Sequence, residues 1–588
     1  MLSYLLTGVT EITTDFLSYK AEEYYKQRGW LLGEGRCGGK SKGLAYAHTV
    51  LLASDLNDKV ELPFLSHVVS TEVFEDFLHT NGLDGLYDEE DWESVQKRLA
   101  GGVFSDGLKR DLERILADFE KIGSPPLVVR SSSLMEDAVD LAFAGKYDSF
   151  FSANIRGMEW RMAKLEECMR GVWVSMFNPS ARKYRTKHGK AHHDESMAVI
   201  IQSMVGKDRR NIYYPKLAGT IFSRIFRRPS PRIQKEDGLM CICFGIGTRA
   251  VDRGAARSFY LTNPALRPSG NSPERIAGSS QEFFDYIDRN EGEIRTGFVR
   301  DWLPAFAENH KDLDEYIEFY DEDSNMLLPY SFFSAQSSNR PLVSFPDFHK
   351  RQTYLFNLAR DLIRLMESQL QLPVDMEFTY DTTSRDFRLV QLRPLTHFQE
   401  MSRVEIPVVP KDQEIFRGDR MVSNGRLRHI PYLVYVEPLK YLSEWDPAGA
   451  ARAVGMLNDK LKGTRYILAG PGRWGSRNPA IGVPIQYGDI YNCGCLVELS
   501  APQFNFNPEL SYGSHFFLDM DSDNILYLPV FAGQSNNTYA SDWLDNTPYE
   551  IGAHPSVRIY KGDFFVYLDG ESEEGLVCYD KPGDWGMK

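Results

Sequence analysis

No apolar run in this sequence approaches the ~20 residues that a membrane-spanning helix requires, which argues against an α-helical membrane protein. Cysteine is sparse as well: seven in 588 residues do not make a disulfide framework. Cys241/Cys243 and Cys493/Cys495 are C-x-C pairs in apolar, strand-like runs. Each pair would share one strand face and the four lack zinc-ligand spacing, so they read as buried thiols. Basic residues are outnumbered, with 67 Lys and Arg against 82 Asp and Glu and a net charge of −15. Such a chain repels nucleic acid and anionic membrane overall, and a nucleic-acid role would need a local basic patch. The start, Met1-Leu2-Ser3-Tyr4-Leu5-Leu6, has no basic n-region and soon meets Glu11 and Asp15, a poor signal peptide. The sequon at Asn536 carries no weight without a secretory route. The expectation is a cytoplasmic protein with neither nucleic acid nor membrane as partner. A P-loop is missing too. Gly39-Lys40-Ser41 fits its end, but the leading glycine would have to be residue 34, which is Glu34.

The apolar and charged fractions, by contrast, are ordinary for a globular protein, and the length predicts roughly two to four domains. Residues 1–29 read as a helical, aromatic-rich extension. Gly33-Glu34-Gly35-Arg36-Cys37-Gly38-Gly39-Lys40-Ser41 then runs into an Ala- and Leu-rich helix ending near Leu52. Backbone N–H groups of a glycine-rich turn at a helix start favour anions, and a lysine there can reach a phosphate. Helices are predicted at Thr71–His79, with Ser70 or Thr71 as N-cap, and at Asp91–Phe119. After Pro125-Pro126, a buried strand delivers Arg130 into Ser131-Ser132-Ser133, and Phe143-Ala144-Gly145 follows in a second loop. Hydroxyls, a glycine backbone and an arginine suit a polyphosphate cradle.

The most informative stretch is Pro373-Val374-Asp375-Met376-Glu377-Phe378, a polar turn, and Phe387-Arg388-Leu389-Val390-Gln391-Leu392-Arg393-Pro394. It reads as a β-hairpin. Side chains two apart in a strand share a face, so Asp375 projects with Glu377, and Gln391 with Arg393. If the two polar faces coincide, two carboxylates, an amide and a guanidinium converge. That set suits magnesium bound to nucleotide phosphates: hard oxygen ligands for the metal and a planar fork for the phosphoryl group. An exposed strand face with a surface ion pair is the alternative. Ahead of the hairpin, Leu355, Leu358, Leu362, Leu365 and Met366 form one stripe of a helix over Thr353–Leu370, predicted to pack behind it.

The order of these motifs, with Ile201-Gln202-Ser203-Met204-Val205 and Ala218-Gly219-Thr220-Ile221-Phe222-Ser223 between them, resembles the nucleotide-binding domain of the dikinases. These include phosphoenolpyruvate synthase, pyruvate phosphate dikinase, rifampin phosphotransferase and glucan water dikinase. The resemblance covers roughly residues 30–398 and implies an ATP-grasp-like fold with ATP and magnesium as cofactors. It implies that Lys40 and Arg130 contact phosphate, that Gly145 and Ser149 lie in the loop covering the triphosphate, and that Gln202 lines the pocket. It further implies that Glu377 and Gln391 bind magnesium with Asp375 nearby, and that Arg393 meets the terminal phosphoryl group. Arg130 and Arg393 are then the catalytic pair. Three departures stand out. The family's Gly-Leu-Gly-Glu is Gly245-Ile246-Gly247-Thr248 here, with one extra residue before Gly254, which puts nucleotide-sugar contacts in doubt. The hairpin turn at Asp381-Thr382-Thr383-Ser384 is longer than usual. Neither a carrier histidine in a Thr-Ser-His-Ala-like motif nor a pyruvate barrel is found.

Residues 399–588 read as a β-rich domain of unknown role, interrupted by a helix over Asp446–Lys462. Gly470-Pro471-Gly472-Arg473-Trp474-Gly475-Ser476-Arg477 is expected to expose two arginines and a tryptophan on a loop. It suits either a ligand or partner contact or a plain Gly-Pro turn. His515 reads as a strand histidine rather than a carrier. Arg224, Arg227, Arg228, Arg232 and Lys235 form a basic run, either a solvated loop or a receiver of an anionic partner. His188, His192 and His193 read as a surface segment before a metal site. The overall expectation is an α+β protein acting as an ATP- and magnesium-dependent phosphotransferase, with an unidentified acceptor or a separate carrier. The other reading is a nucleotide sensor or scaffold that binds ATP without catalysis.

Overall fold

The computed structural model describes residues 15–88, 91–135, 147–178, 181–182, 185–186, 195–225, 233–248, 257–267, 271–331, 339–395, 404–476, 481–501, 516–517, 520, 524–570 and 572–579. Helices and sheets are mixed, in keeping with the α+β expectation. The first sheet has the spatial order Leu31–Leu32, Ser66–Val69, Met197–Ser203, Leu127–Ser133, Ser149–Ser152. The second runs Arg257–Tyr260, Leu239–Phe244, Leu217–Phe222, Val374–Asp381, Asp386–Pro394. A four-stranded and a three-stranded sheet lie between residues 207 and 343. Residues 414–579 build a nine-stranded sheet in which Gly425–Val436, Tyr466–Pro471, Cys493–Ser500 and Leu526–Phe531 are parallel neighbours.

Sequence chemistry sets where these elements stop. Ser70 starts the helix Thr71–Thr80. The single helix expected over residues 91–119 is two, Trp92–Ala100 and Asp106–Lys121, each opened by a side-chain cap from Asp91 and Ser105. The break falls at Gly101-Gly102, where the chain passes against Phe77: a Cβ on Gly102 would lie 2.3 Å from that ring. Phe77, Phe74 and Phe104 surround the buried Trp173, with ring centroids 4.7, 5.3 and 5.5 Å away. This aromatic group belongs to an apolar cluster that covers one face of the first sheet and continues into Val434, Leu468, Leu496 and Tyr527 of the nine-stranded sheet.

The predicted stripe of Thr353–Leu370 is present. Leu355, Leu358, Leu362 and Met366 are buried, joined by Phe356 and Ile363, and they pack with Ile221, Met240, Ile242, Met376, Phe378 and Leu389 from the apolar side of the second sheet. Each such side chain contributes about 1.5–3 kcal/mol by leaving water. The opposite face carries a smaller apolar cluster, with Ala218, Phe222, Leu239, Cys241, Cys243 and Tyr260, and at its hairpin end the polar pair Glu377 and Gln391.

One expectation fails in the nine-stranded sheet. Trp474 and Arg473 are buried, not displayed on a loop. The reason is Gly470: a Cβ there would sit 2.5 Å from the Trp474 ring, so the indole fills the space a side chain would need. The Trp474 amide donates to the fully buried Glu498 at 2.8 Å, and the Tyr527 hydroxyl donates to the same carboxylate at 2.7 Å. All seven cysteines are free and buried. His515, Arg477 and the histidines at 188, 192 and 193 lie outside the described residues. Among those residues no helix is long and apolar enough to cross a membrane.

Candidate functional site

The two strands of the hairpin, Val374–Asp381 and Asp386–Pro394, pair with Asp375 opposite Arg393 and Glu377 opposite Gln391. Directly opposed residues of an antiparallel pair project to the same side, so the polar faces coincide. A bulge follows between Glu377 and Phe378. Asp375 is almost fully buried and accepts from Arg393 Nε at 2.5 Å, with Arg393 Nη2 on the same oxygen.

Arg130 arrives from the first sheet. Its guanidinium donates to Glu377 Oε2 at 2.9 Å, to Gln391 Oε1, and to the Val390 carbonyl at 3.4 Å. One side chain thus joins the strand Leu127–Ser133 of the first sheet to both strands of the hairpin. Ser149 lies directly opposite Arg130 on the neighbouring strand and is exposed. Gln202 shares that sheet face through the pairing of Gln202 with Val128 and Ile200 with Arg130, and its amide donates to Ser66 Oγ at 3.0 Å. Gly145 falls outside the described residues.

Lys40 stands in the first turn of the helix Gly39–Leu52, is buried, and donates to Ser131 Oγ at 2.9 Å. The turn before it depends on Gly38, which has φ +75° and approaches Ser132 so closely that a Cβ would fall 1.8 Å from the carbonyl oxygen. The Ser41 amide donates to Ser132 Oγ at 3.0 Å, and that hydroxyl donates to the Cys37 carbonyl at 2.8 Å. The serine-rich strand end is therefore bound to the start of the helix. One turn on, Gly43 rests on the hairpin, where a Cβ would lie 2.0 Å from the Leu392 carbonyl oxygen. Gly43→Ala is expected to push the helix off the hairpin, at a cost of about 1–3 kcal/mol typical of overpacking. Thermal melts check this; an unchanged melting temperature would mean the contact is not tight.

The far end of the hairpin is fastened separately. Lys216 Nζ lies 2.7 Å from Asp312 Oδ2, 2.9 Å from Thr382 Oγ1 and 2.7 Å from Thr383 Oγ1. Asp381 accepts the Thr383 and Ser384 amides at 2.9 and 3.1 Å and pairs with Lys207 at 2.8 Å. Although burial opposes its charge, the Lys207 hydrogen bond and the Ser384 amide hold the Asp381 carboxyl well below the usual range. The lengthened turn is thus a tethered one. Thr248 donates to Asp285 Oδ2 at 2.5 Å, so a carboxylate from the strand Phe283–Asp288 stands beside the position where the resemblance leads one to expect an acid. Asp285 carries no local sequence signal for this, because it comes from another sheet. Arg224, first of the basic run, is paired with Glu367 at 2.6 Å; Arg227, Arg228 and Arg232 lie outside the described residues.

Glu377 and Gln391 present two hard oxygens to one guanidinium, a cation held between a carboxylate and an amide. The donor chemistry fits magnesium, which is usually bound by one or two carboxylates together with phosphate oxygens and water. Among the described residues no group of three or more His, Cys, Asp or Glu side chains forms a ready metal cluster.

The model of the family described as pyruvate phosphate dikinase, AMP/ATP-binding domain, matches residues 34–413, more than half of the chain. The phosphoenolpyruvate synthase of Aeropyrum pernix is 24% identical over 394 residues, covering 61% of this chain and 43% of that protein. The phosphoenolpyruvate synthase of Deinococcus radiodurans is 32% identical over 230 residues, 37% of this chain and 26% of that protein. An uncharacterized phosphotransferase of Bacillus subtilis, YvkC, is 27% identical over 198 residues, 33% of this chain and 21% of that protein. The matches therefore span less than half the length of these curated relatives.

Proposed function

This chain belongs to the pyruvate phosphate dikinase AMP/ATP-binding family, and from that premise we propose that it is an ATP- and magnesium-dependent phosphotransferase. Its nucleotide-binding unit is an ATP-grasp-like domain over residues 30–398, followed by a β-rich domain over 399–588. The nucleotide binds between the first and second sheets. The observation that carries this reading is Arg130 of the first sheet meeting Glu377 and Gln391 of the second. Lys40, Arg130 and Arg393 spread the negative charge of the phosphates, Gly145 and Ser149 cover them, and Gln202 lines the pocket. Glu377 and Gln391 are the residues that would hold magnesium, with Asp375 orienting Arg393 beside them. Magnesium supplies charge neutralisation at the phosphate oxygens. In the transfer, a bond forms between an acceptor nucleophile and phosphorus while the bridging P–O bond to the departing nucleotide breaks. The chain's contribution is to orient the phosphates and to stabilise the charge that develops. The acceptor is a small molecule or a separate carrier chain, and the protein acts in the cytoplasm.

Thr248, where the resemblance implies an acid, favours a second reading: a protein that binds ATP as a sensor without turnover. Calorimetry with ATP and magnesium, and with EDTA in place of the metal, is expected to show metal-dependent binding. No heat at millimolar nucleotide would overturn both readings. Turnover that rises with an added acceptor separates the enzyme from the sensor. No acid-labile phosphate from labelled ATP is expected on His515; label that disappears in His515→Ala would put the acceptor in this chain.

A further inference from the structure

The second sheet holds two buried hydroxyls that the fold itself does not use. Strand pairing sets a row across the Glu377 side of the second sheet: Gln391, Glu377, Thr220, Cys241, Ser258. Thr220 is directly opposite Glu377, so its side chain rises on the same side as the carboxylate. It is 3% exposed, and its Oγ1 is buried with no hydrogen-bond partner. Thr379 stands two residues beyond Glu377 on the same strand, hence on the same face. Its Oγ1 is likewise buried and without a partner. The neighbouring Cys241 Sγ and Ser258 Oγ are 3.4 Å from each other.

A buried hydroxyl with no partner weakens a fold. Valine has the same branched shape and suits a strand equally well, so folding alone favours valine at both positions. Two threonines here, on the side of the sheet that carries Glu377, one across from it and one two residues along its strand, point to a ligand that completes their hydrogen bonding. We propose that Thr220 and Thr379 are direct nucleotide contacts, a step that rests on the reading of the cleft as the ATP site.

The register orders them. Arg393 is level with Asp375, Glu377 comes two residues on and Thr379 two more, each step about 7 Å along the strand. With the terminal phosphoryl group at Arg393 and the metal at Glu377, Thr220 lies level with the phosphates. Thr379 lies one step toward the sugar. At its level Gly247 folds over the sheet, where a Cβ would touch the Ala218 Cβ at 3.3 Å, and Ala218 is the cross-strand partner of Thr379. Thr220 therefore donates to a phosphate oxygen and Thr379 to a sugar oxygen.

The test uses the full chain, with Thr220→Val, Thr379→Val and Thr220→Ser. Melting temperatures are measured without ligand, and dissociation constants by calorimetry for ATP with magnesium and for tripolyphosphate with magnesium. Each valine variant is expected to melt at or above the wild-type temperature while ATP binding weakens about three- to tenfold, the worth of a hydrogen bond. Thr220→Ser keeps its hydroxyl and is expected to bind as wild type does. With tripolyphosphate, only Thr220→Val is expected to weaken binding. Valine variants with wild-type ATP affinity overturn the proposal and leave the ATP site standing. A lower melting temperature in the unliganded valine variants also overturns it, because the hydroxyls are then used by the fold. Equal weakening of tripolyphosphate by Thr379→Val overturns the sugar assignment. A wild-type chain that does not bind ATP overturns the reading of the cleft, and this inference with it.

Discussion

Glu377→Gln is expected to lower phosphotransfer by about 10²-fold or more, the loss typical of a key electrostatic group, with little change in the fold. The glutamine keeps the shape and one acceptor oxygen, so Arg130 retains a partner across the gap it spans at 2.9 Å. The negative charge is what disappears. A magnesium ligand altered in this way needs more metal for the same rate, so the half-saturating magnesium concentration should rise together with the loss of turnover. A surface-strand role for Glu377 gives a different result, with turnover and metal dependence unchanged and stability shifted by less than about 0.5 kcal/mol. Activity measured across a magnesium titration, beside a melting curve, decides between them.

Arg393→Met is expected to be the most destabilising change at the site. Asp375 is 1% exposed and its carboxylate meets Arg393 through both Nε and Nη2. Removing one member of a buried ion pair leaves a charge in a low-dielectric interior, which costs about 3–5 kcal/mol. Arg393→Lys restores the charge but not the planar fork. It should recover part of the stability, while turnover falls more than ATP affinity does. Removing the partner together with the arginine, in Arg393→Met with Asp375→Leu, should bring the fold back and abolish the proposed phosphotransfer. Melting temperatures of the three variants, with ATP affinity for those that fold, provide the check. An Arg393→Met protein as stable as wild type would mean the pair is hydrated.

How much of this could be read from the chain depends on the range of the contact. Strand alternation is local, so Asp375 sharing a face with Glu377, and Gln391 with Arg393, follows from residue spacing alone, whereas the register that sets Glu377 opposite Gln391 does not. The stripe on Thr353–Leu370 is visible for the same reason. Arg130 is different. Its neighbours in sequence suggest a phosphate cradle, but its hold on Glu377 and Gln391 crosses some 250 residues of chain, and only the packing of two sheets creates it. The break in the helix after Ala100 is written in Gly101-Gly102, yet its necessity comes from Phe77 on another helix. Trp474 reads as a displayed aromatic because the space it fills is made by a missing side chain, at Gly470. Thr220 sits in a strand-forming run where threonine is unremarkable. Only the cross-strand register shows that it faces Glu377.

The single guanidinium spanning the two sheets also governs how the ligands depend on one another. Arg130 is engaged by the same two oxygens that would coordinate the metal. A phosphate that takes the guanidinium frees those oxygens, and a metal that takes the oxygens frees the guanidinium. Either ligand arriving first must break the contact; the second finds it already broken. On the proposed reading, nucleotide and metal are then expected to bind with positive cooperativity. The coupling free energy is that of the charge-assisted contact, about 1.5–3 kcal/mol, and it is the same in both directions. The proposed site would in this way be selective for the complex of nucleotide with metal over either alone, through a residue that belongs to neither strand of the hairpin.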